Sequence, residues 1–567
     1  MNSRAPDAST SAAGPDRSSI ARSTWLMASG TAVSRVMGMV RAAMLGTAIG
    51  VWTMAANAFD AANTLPNFFY AILAEGVLNA VLVPQIVRAF SRGQGEEFVQ
   101  RLLTLATLVL AALTVLLTVT AAFWMLAFTE DWSPEKLKLG TLFAYWCLPQ
   151  VFFYGLYLVW GQVLNARNVF GVVMWAPAAN NLVSIIGFGI FIGAFGRYDA
   201  ANAGSSGNQA NPAWWGSGQI ALLAGTATLG IAVQALILLG PMTKIGLAPR
   251  WRWGFRGFGL GRAARMAGWT AMSLVFSQGA MWLAIRLSTA ADQAAGGRVA
   301  SNAILTLALS IYIIPHSLIT VSLTTALFTR MAEHVQDGAM GLVAKDLSYG
   351  IMTTSAFSFL CTALLMVLAL PLARVLQPGV STAEIGALTG PIVAMSLGLV
   401  PLGMTLLIKR VFFALEDGRT LLALQIPMSL LFAGFSLATY WLLPPEWWVT
   451  GIGLGQTLSF VAGAILRLAS LRDRLGGIDG RELAWMHARA AAAACLAGEA
   501  GWLILKLFPQ NGSSSVLVAV LALGAVGLAI TVIYAVLLWA MRVRQLNDLV
   551  GPIFSRFGPH PGARSRH

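Results

Sequence analysis

The chain has few charged residues and few cysteines for its length. Only 11% of its 567 residues are Asp, Glu, Lys or Arg, whereas soluble domains carry about 25%. Cys147, Cys361 and Cys495 lie far apart in apolar stretches, which excludes a disulfide framework and a cysteine metal motif. No HExxH, CxxC, GxSxG or Walker-type motif is present. The sequence therefore predicts no enzyme, no metal site and no cofactor.

Long apolar runs take the place of the missing charge. Hydrophobic residues make up 57% of the chain, and its mean hydropathy is +0.71. Runs of about 20 residues are long enough to cross the hydrocarbon core as helices. We therefore predict an all-α polytopic membrane protein with about 14 transmembrane helices. The predicted spans are 24–48, 65–89, 103–127, 141–164, 170–195, 217–241, 266–290, 299–326, 350–376, 387–411, 421–443, 449–470, 487–508 and 515–540.

A weak internal repeat groups these spans. The segment 83–90, at the end of the second span, is similar to 326–332, at the end of the eighth. We predict two six-helix halves in the same orientation plus two C-terminal helices, with a binding site between the halves. The predicted divisions are a disordered cytoplasmic tail (1–23), an N-terminal half (24–245), a C-terminal half (246–475), helices 13 and 14 (476–545) and a second cytoplasmic tail (546–567).

The net charge of +14 arises from arginines and lysines that concentrate in alternate loops. The richest loops are 244–265 and 467–489, and the C-terminal tail has the same character. By the positive-inside rule, both termini and these loops are cytoplasmic, and the 198–211 loop lies outside. The basicity thus predicts topology and attraction to membrane lipids, with no nucleic-acid partner.

Three ionised side chains interrupt the first two apolar spans: Arg35, Arg41 and Glu75. An Arg at the bilayer centre costs about 2.5–3.5 kcal/mol, so such residues usually face a polar cavity. Helical periodicity places Ser34, Gly38 and Arg41 on one stripe, with Arg35 beside it. The small residues leave room beside the arginines, and the paired donors of a guanidinium suit an anionic ligand. The alternative is a buried structural pair between Arg35 and Glu75.

Further candidates complete the predicted substrate-binding set. Glu75 and Asn79 lie one helical turn apart, and Asn67 lies two turns earlier, where they could bind polar groups of a ligand or orient the arginines. Arg286 is either another cavity cation or an interfacial arginine. The 266–290 span contains no acidic residue, which predicts no cation site there. The predicted set is Ser34, Arg35, Gly38, Arg41, Asn67, Glu75, Asn79 and Arg286.

Several motifs occur in an order typical of one family. They are Ser34-Arg35-x-x-Gly38-x-x-Arg41, Ala61-x-x-x-Leu65-Pro66-Asn67, Ala74-Glu75-Gly76-x-x-x-Ala80-x-x-x-Pro84, Leu164-Asn165-Ala166-Arg167, Ala176-Pro177, Ile314-Pro315 and the turn from Phe412 to Arg419. Over roughly residues 24–545 the chain resembles the MurJ (MviN) family of the MOP exporter superfamily.

The resemblance implies a lipid II flippase of the bacterial plasma membrane. Such a protein moves undecaprenyl-diphosphate-linked disaccharide-pentapeptide from the inner to the outer leaflet by alternating access, for peptidoglycan synthesis. The implied partners are lipid II, membrane lipids and proteins of cell-wall synthesis or division.

The chain departs from the family pattern at four positions. Family members often carry charged residues where Asn57, Tyr70, Leu309 and Ser310 stand in this sequence. The cationic cluster is therefore thinner than the pattern implies.

Two other functions stay open at this stage. One is a different MOP-type exporter, either a flippase for another lipid-linked oligosaccharide or a drug antiporter. A cation-handling antiporter would be expected to have acidic cavity residues, whereas this region has two arginines and one glutamate. The other is a non-transporting scaffold for cell-wall synthesis, which would tolerate substitution of Arg35 or Arg41.

Overall fold

A computed structural model describes residues 17–72, 95–167, 169–199, 208–253, 261–296, 299–509 and 515–543. Every regular element in these ranges is helical, which confirms the predicted all-α class. The α-helices are α1 Arg17–Ile49, α2 Met54–Ala71, α3 Gly95–Val119, α4 Ala121–Phe128, α5 Pro134–Cys147, α6 Gln150–Ala166, α7 Gly171–Phe195, α8 Ser217–Leu236, α9 Leu239–Lys244, α10 Gly261–Ala294, α11 Asn302–Pro315, α12 Val321–Gln336, α13 Met340–Leu376, α14 Thr382–Ser396, α15 Leu399–Ala414, α16 Gly418–Leu442, α17 Trp448–Arg472, α18 Gly480–Leu505 and α19 Val516–Ala540.

Many of these helices are long and apolar enough to span a membrane. Within the described ranges ten pass this test, or eleven if α14 and α15, which meet at a bend of 45°, form one span. The protein is therefore a multi-pass membrane protein, as predicted, and the number 14 is approximate. Two of the other predicted spans, 266–290 and 299–326, coincide with α10 and α11–α12, which contain charged or helix-bending residues such as Arg286 and Pro315. Of the predicted span 65–89, only residues 65–72 are described, at the end of α2.

The second span begins earlier than its hydropathy indicates. We predicted a start at residue 65, but α2 begins at Met54, where the Thr53 side chain accepts a hydrogen bond from the Ala56 amide. The first turns of α2 are rich in alanine, the residue of highest helix propensity. Ala58 and Ala62 are completely buried. Close packing of small residues, rather than a long apolar run, therefore stabilises the start of this helix.

The seventh span continues further than predicted. Helix α10 extends to Ala294 rather than residue 290 and thus includes Asp292. The predicted span 266–290 contains no acidic residue, but the helix that includes it does. Asp292 is 8% exposed and pairs with the Lys136 side chain. Its partners allow a carboxylate to lie in the last turns of a helix that packs inside the protein.

The buried apolar side chains form separate cores in the two parts of the chain. Two clusters draw almost all their members from residues 48–247, and three others draw theirs mainly from residues 280–543. We refer to α1–α9 as the first bundle and α10–α19 as the second bundle. Helices α18 and α19 share a core with α13. This arrangement supports the predicted two halves with an added helix pair, although the exact divisions stay predictions.

The turn between α15 and α16 is held by one carboxylate. Asp417 accepts hydrogen bonds from the Thr420 amide at 3.0 Å and from Arg474. Partial burial acts to raise the Asp417 pKa, but the hydrogen bonds from Thr420 and Arg474 outweigh it, so the pKa is lowered. Glu416 before it has a positive φ of 53°. The carboxylate therefore stabilises the tight reversal between these two helices.

Candidate functional site

A cavity of about 430 Å³ lies between the two bundles. This volume is within the range of small-molecule binding sites. Helices α1, α6 and α7 line it from the first bundle, and α11 and the end of α13 line it from the second bundle. Its position agrees with the prediction of a site between the halves.

One face of α1 supplies the charged wall of this cavity. Ser34, Arg35, Gly38 and Arg41 all line it, so the structure brings together the stripe expected from helical periodicity. The Asn181 amide on α7 donates to the Ser34 carbonyl at 2.8 Å. A Cβ atom at Gly38 would lie 3.6 Å from this amide, an ordinary contact distance. The glycine therefore widens the cavity beside the arginines without being required by backbone geometry.

The arginines of the cavity have no counter-charge on its described walls. No Asp or Glu is among the lining residues. Over the part of the chain that the structure describes, neither Arg35 nor Arg41 forms an ion pair. A site of this kind favours an anionic ligand, which would supply the missing charge. Within the same ranges, no three His, Cys, Asp or Glu side chains are grouped as metal ligands.

The candidates on the second span are placed differently. Asn67 on α2 is exposed, donates from its side-chain amide to the Asn63 carbonyl at 3.1 Å, and does not line the cavity. Glu75 and Asn79 lie outside the described residues. Tyr70, one of the departures from the family pattern, packs its ring 4.9 Å from that of Tyr154.

Arg286 lies away from the cavity and joins the two bundles. Its guanidinium pairs with Glu130, and its Nη1 donates to the Ala127 carbonyl at 2.9 Å. Trp282, one turn earlier on α10, donates to the same carbonyl at 3.0 Å. The structure thus gives Arg286 an acidic partner in the segment after α4, instead of a place beside Arg35 and Arg41.

A second set of polar residues, which sequence analysis missed, closes the gap between the bundles near the end of α1. Lys136 Nζ on α5 lies 2.5 Å from Asp292 Oδ2 on α10. Their side chains are only 2% and 10% exposed. The Asn57 amide on α2 donates to the same carboxylate at 3.1 Å. Asn57, one of the departures from the family pattern, therefore binds an acid contributed by the other bundle.

Asp60 extends this set by one helical turn. Its carboxylate accepts hydrogen bonds from the Asn302 amide at 3.1 Å and from the Thr306 hydroxyl at 2.9 Å, both on α11. Asn302 also donates to the Asn57 carbonyl at 2.9 Å. Asp60 was missed because the predicted span began at residue 65. The interbundle cluster, as we call the set, consists of Asn57, Asp60, Lys136, Asp292, Asn302 and Thr306.

Backbone contacts add to the closure at this end. Glu384 on α14 accepts hydrogen bonds from the Val51 and Trp52 amides at 3.2 and 3.4 Å. Gly46 on α1 packs so closely against Gln377 that an added Cβ would lie 2.0 Å from the Gln377 side-chain oxygen. Gln377 also lines the cavity. The cavity is therefore closed where α1 ends.

Comparison with known proteins assigns the chain to a family. The family model described as "Lipid II flippase MurJ" matches residues 45–523. A probable lipid II flippase MurJ from Synechocystis sp. is 26% identical over 423 residues, which cover 72% of this chain and 74% of the relative. The corresponding protein from Rhizobium meliloti is 25% identical over 525 residues, covering 89% and 90%.

Solved structures show the same fold. "Lipid II flippase MurJ, inward closed conformation" matches with a TM-score of 0.67 and 17% identity, covering 90% of this chain and 98% of that one. An inward-facing MATE family multidrug resistance transporter of the MOP superfamily matches with a TM-score of 0.62 and 16% identity, covering 78% and 94%. The family match extends over most of the chain and confirms the resemblance seen in the motifs. This multi-pass membrane protein belongs to the lipid II flippase MurJ family.

Proposed function

We propose that this protein moves lipid II from the inner to the outer leaflet of a bacterial plasma membrane by alternating access. The observation that carries the proposal is the pair of arginines, Arg35 and Arg41, in an interbundle cavity whose described walls contain no carboxylate. Family membership supports lipid II as the substrate. The diphosphate is the part of this lipid that carries the charge the cavity lacks.

The chemistry of arginine supports a diphosphate at this place. A guanidinium stays charged and offers paired donors that match two phosphate oxygens. Within the bilayer each uncompensated arginine costs a few kcal/mol, and this cost is offset when an anion binds. Ser34 and Asn181 are already joined by a hydrogen bond, which orients polar groups beside the arginines. The cavity is thus prepared for a doubly charged headgroup.

The interbundle cluster supports a role as the closed gate of the transport cycle. Alternating access requires the cavity to open at one end while contacts close the other. Here Lys136–Asp292 and Asp60–Asn302 close the end near Ile49. With both termini cytoplasmic, this is the outer end, so the described state would accept the substrate from the inner leaflet. Release outside requires these contacts to break.

The MATE-like fold alone also permits drug antiport, which the cavity chemistry disfavours. A cationic drug would meet Arg35 and Arg41 without a described carboxylate to bind it. A flippase for another diphosphate-linked oligosaccharide would also need a cavity that binds an anion. Reconstitution with each of the two lipids distinguishes these functions. A scaffold role does not require arginines in a cavity whose described walls contain no carboxylate.

Reconstitution tests the proposed function directly. Purified protein is placed in proteoliposomes that contain fluorescent lipid II, and a membrane-impermeant reductant then bleaches the label in the outer leaflet. We expect bleaching to proceed past one half of the label in protein-containing vesicles and to stop near one half in empty ones. Fluorescent phosphatidylcholine in the same vesicles serves as the control and should stop near one half in both.

Two outcomes would contradict the proposal. If lipid II stayed half protected while a different diphosphate-linked oligosaccharide was bleached completely, the protein would be an exporter of that other lipid. A scaffold function would be supported instead by three results together. Neither lipid would move, wall-synthesis proteins would co-purify with this protein, and a transport-inactive variant would restore the shape of depleted cells.

We predict that both termini and the 244–265 loop are cytoplasmic. Basic residues concentrate on that side, and moving them across the membrane during insertion is unfavourable. Thr243→Cys and Ala213→Cys, both at exposed positions, report on the two sides in a background without natural cysteines. A membrane-impermeant thiol reagent added to intact cells should label Ala213→Cys and leave Thr243→Cys unlabelled until the cells are opened. The reverse pattern would refute the orientation.

A further inference from the structure

A second cavity, of about 400 Å³, lies at the opposite end of the second bundle from the interbundle cluster. It is formed where α18 begins and α19 ends, with Met352 of α13 at its base. Arg481, Arg489 and Arg542 line it. It shares no lining residue with the central cavity and is therefore a separate site.

The three arginines give this second cavity an excess of positive charge. Arg481 and Arg489 lie two turns apart on one face of α18, and Arg542 approaches from the end of α19. None of the three forms an ion pair within the described part of the chain. All three are exposed, so a ligand can reach them from outside the bundle.

Two carboxylates also line the cavity, but one of them is already engaged. Asp479 accepts hydrogen bonds from the Arg481 and Glu482 amides at 3.1 and 3.0 Å, and so caps the start of α18. The positive end of the helix offsets its charge. Glu482 remains as the single carboxylate against three guanidinium groups. The balance favours an anion that carries at least one full negative charge.

The surface next to the second cavity indicates which kind of anion binds there. Trp485 lines the cavity and is 57% exposed, and Trp539 at the end of α19 is 71% exposed. Exposed tryptophans at a helix end are typical of the membrane–water interface, so the arginines lie at headgroup depth. Beyond them, α18 and α19 expose large apolar side chains along their length. These are Leu496, Trp502, Leu503, Leu517, Val520, Leu521, Leu528, Val532 and Val536.

We propose that the second cavity binds the headgroup of an anionic membrane phospholipid, whose acyl chains lie along the exposed faces of α18 and α19. Basic cavities between transmembrane helices at headgroup depth suit such lipids. A phosphate joined to hydrocarbon matches both halves of the site, whereas a free phosphate leaves the apolar faces without a partner. The lipid is a resident one, and it stabilises the packing of α18 and α19 on α13.

The test compares lipid retention and thermal stability in defined membranes. The protein is reconstituted into nanodiscs of phosphatidylcholine alone or of an equal mixture with phosphatidylglycerol. In the mixture, native mass spectrometry should find one retained phosphatidylglycerol, and the unfolding midpoint should rise. A triple variant should neither retain phosphatidylglycerol nor show the rise in the unfolding midpoint. It combines Arg481→Gln, Arg489→Gln and Arg542→Gln. Each single variant should lower the affinity about fivefold, because each basic residue adds a similar increment near an anionic surface.

A matched control keeps the change in net charge constant. Arg252, Arg419 and Arg472 are also exposed, form no ion pair within the described ranges and line neither cavity. Their triple glutamine variant should retain the lipid and the rise in midpoint. Equal retention by the two triple variants would overturn the proposal. The single variants decide the matter if the first triple variant does not fold.

Two additions identify the source of the phosphate. Inorganic phosphate added to protein in lipid-free detergent should leave the unfolding midpoint unchanged, and full stabilisation by phosphate alone would overturn the assignment to a lipid. Lipid II added to the nanodiscs should leave the retained phosphatidylglycerol in place. Its displacement by lipid II would instead make this cavity an outlying site for the transported substrate.

Discussion

The Arg35→Ala and Arg41→Ala variants are each expected to fail to restore growth of a cell depleted of its own lipid II flippase. In proteoliposomes, neither variant should move lipid II, so bleaching of the label should stop near one half. Each substitution removes one of the two positive charges that face the central cavity. Arg→Lys at either position should restore part of the activity, because lysine keeps the charge but replaces a two-pronged donor with a single ammonium group. Initial flipping rates of the four variants provide the measurement.

The loss of transport in the alanine variants should not result from unfolding of the protein. Neither arginine forms an ion pair within the described part of the chain, so its removal leaves none of the described carboxylates without a partner. The alanine variants should therefore keep the unfolding midpoint and expression level of the unmodified protein. Arg252→Ala, at an exposed loop position, is the matched control and should transport normally. Normal transport by both Arg35→Ala and Arg41→Ala would refute the assigned binding role.

Lys136→Met is expected to destabilise the described closed state by about 3–5 kcal/mol. The substitution leaves the Asp292 carboxylate, which is 10% exposed as a side chain, without the ammonium group 2.5 Å away. An unpaired buried charge costs far more than the pair contributes. Lys136→Met combined with Asp292→Leu should recover most of the loss, because both charges are then removed. Thermal unfolding in one detergent, compared across the three proteins, gives the result.

The same variant should also shift the protein toward the state that is open near Ile49. Ser310 lines the central cavity, so Ser310→Cys in a background without natural cysteines reports access to it. Adding Lys136→Met should increase its labelling by an impermeant reagent supplied from the Ile49 side. Unchanged labelling together with an unchanged unfolding midpoint would show that the pair does not hold the gate closed. Arg101→Met, which removes an exposed pair with Glu97, is the control and should have little effect.

The part of the site on α1 was predictable because it depends on one helix. Ser34, Gly38 and Arg41 follow the helical repeat, and an ionised residue in an apolar run indicates a polar surface. Their common cavity was therefore expected before any tertiary contact was known. Asp60 was not found because local hydropathy does not reveal an alanine-rich helix that is stabilised by close packing, as at the start of α2.

Arg286 shows that a charged residue can be evident in the sequence while its partner is not. Its charge inside a predicted span was evident, but its partner Glu130 lies in a distant segment and belongs to the other bundle. A single sequence gives no distance between two such segments. The same holds for Lys136 and Asp292, which are separated by 156 positions. Each alone was an ordinary charge near the end of a span.

The sequence by itself determined the membrane class, the helical fold and the arginine-bearing face of α1, because each depends on composition or on the period of one helix. Tertiary structure decided which charges remain available to a ligand and which are neutralised by partners. Packing of the two bundles brings Lys136 to Asp292 and Arg286 to Glu130, and it leaves Arg35 and Arg41 facing a cavity. A charge buried between helices is stable only with a partner. The arrangement of the bundles, rather than the local sequence, therefore decides which charged residues form the closed gate and which form the binding site.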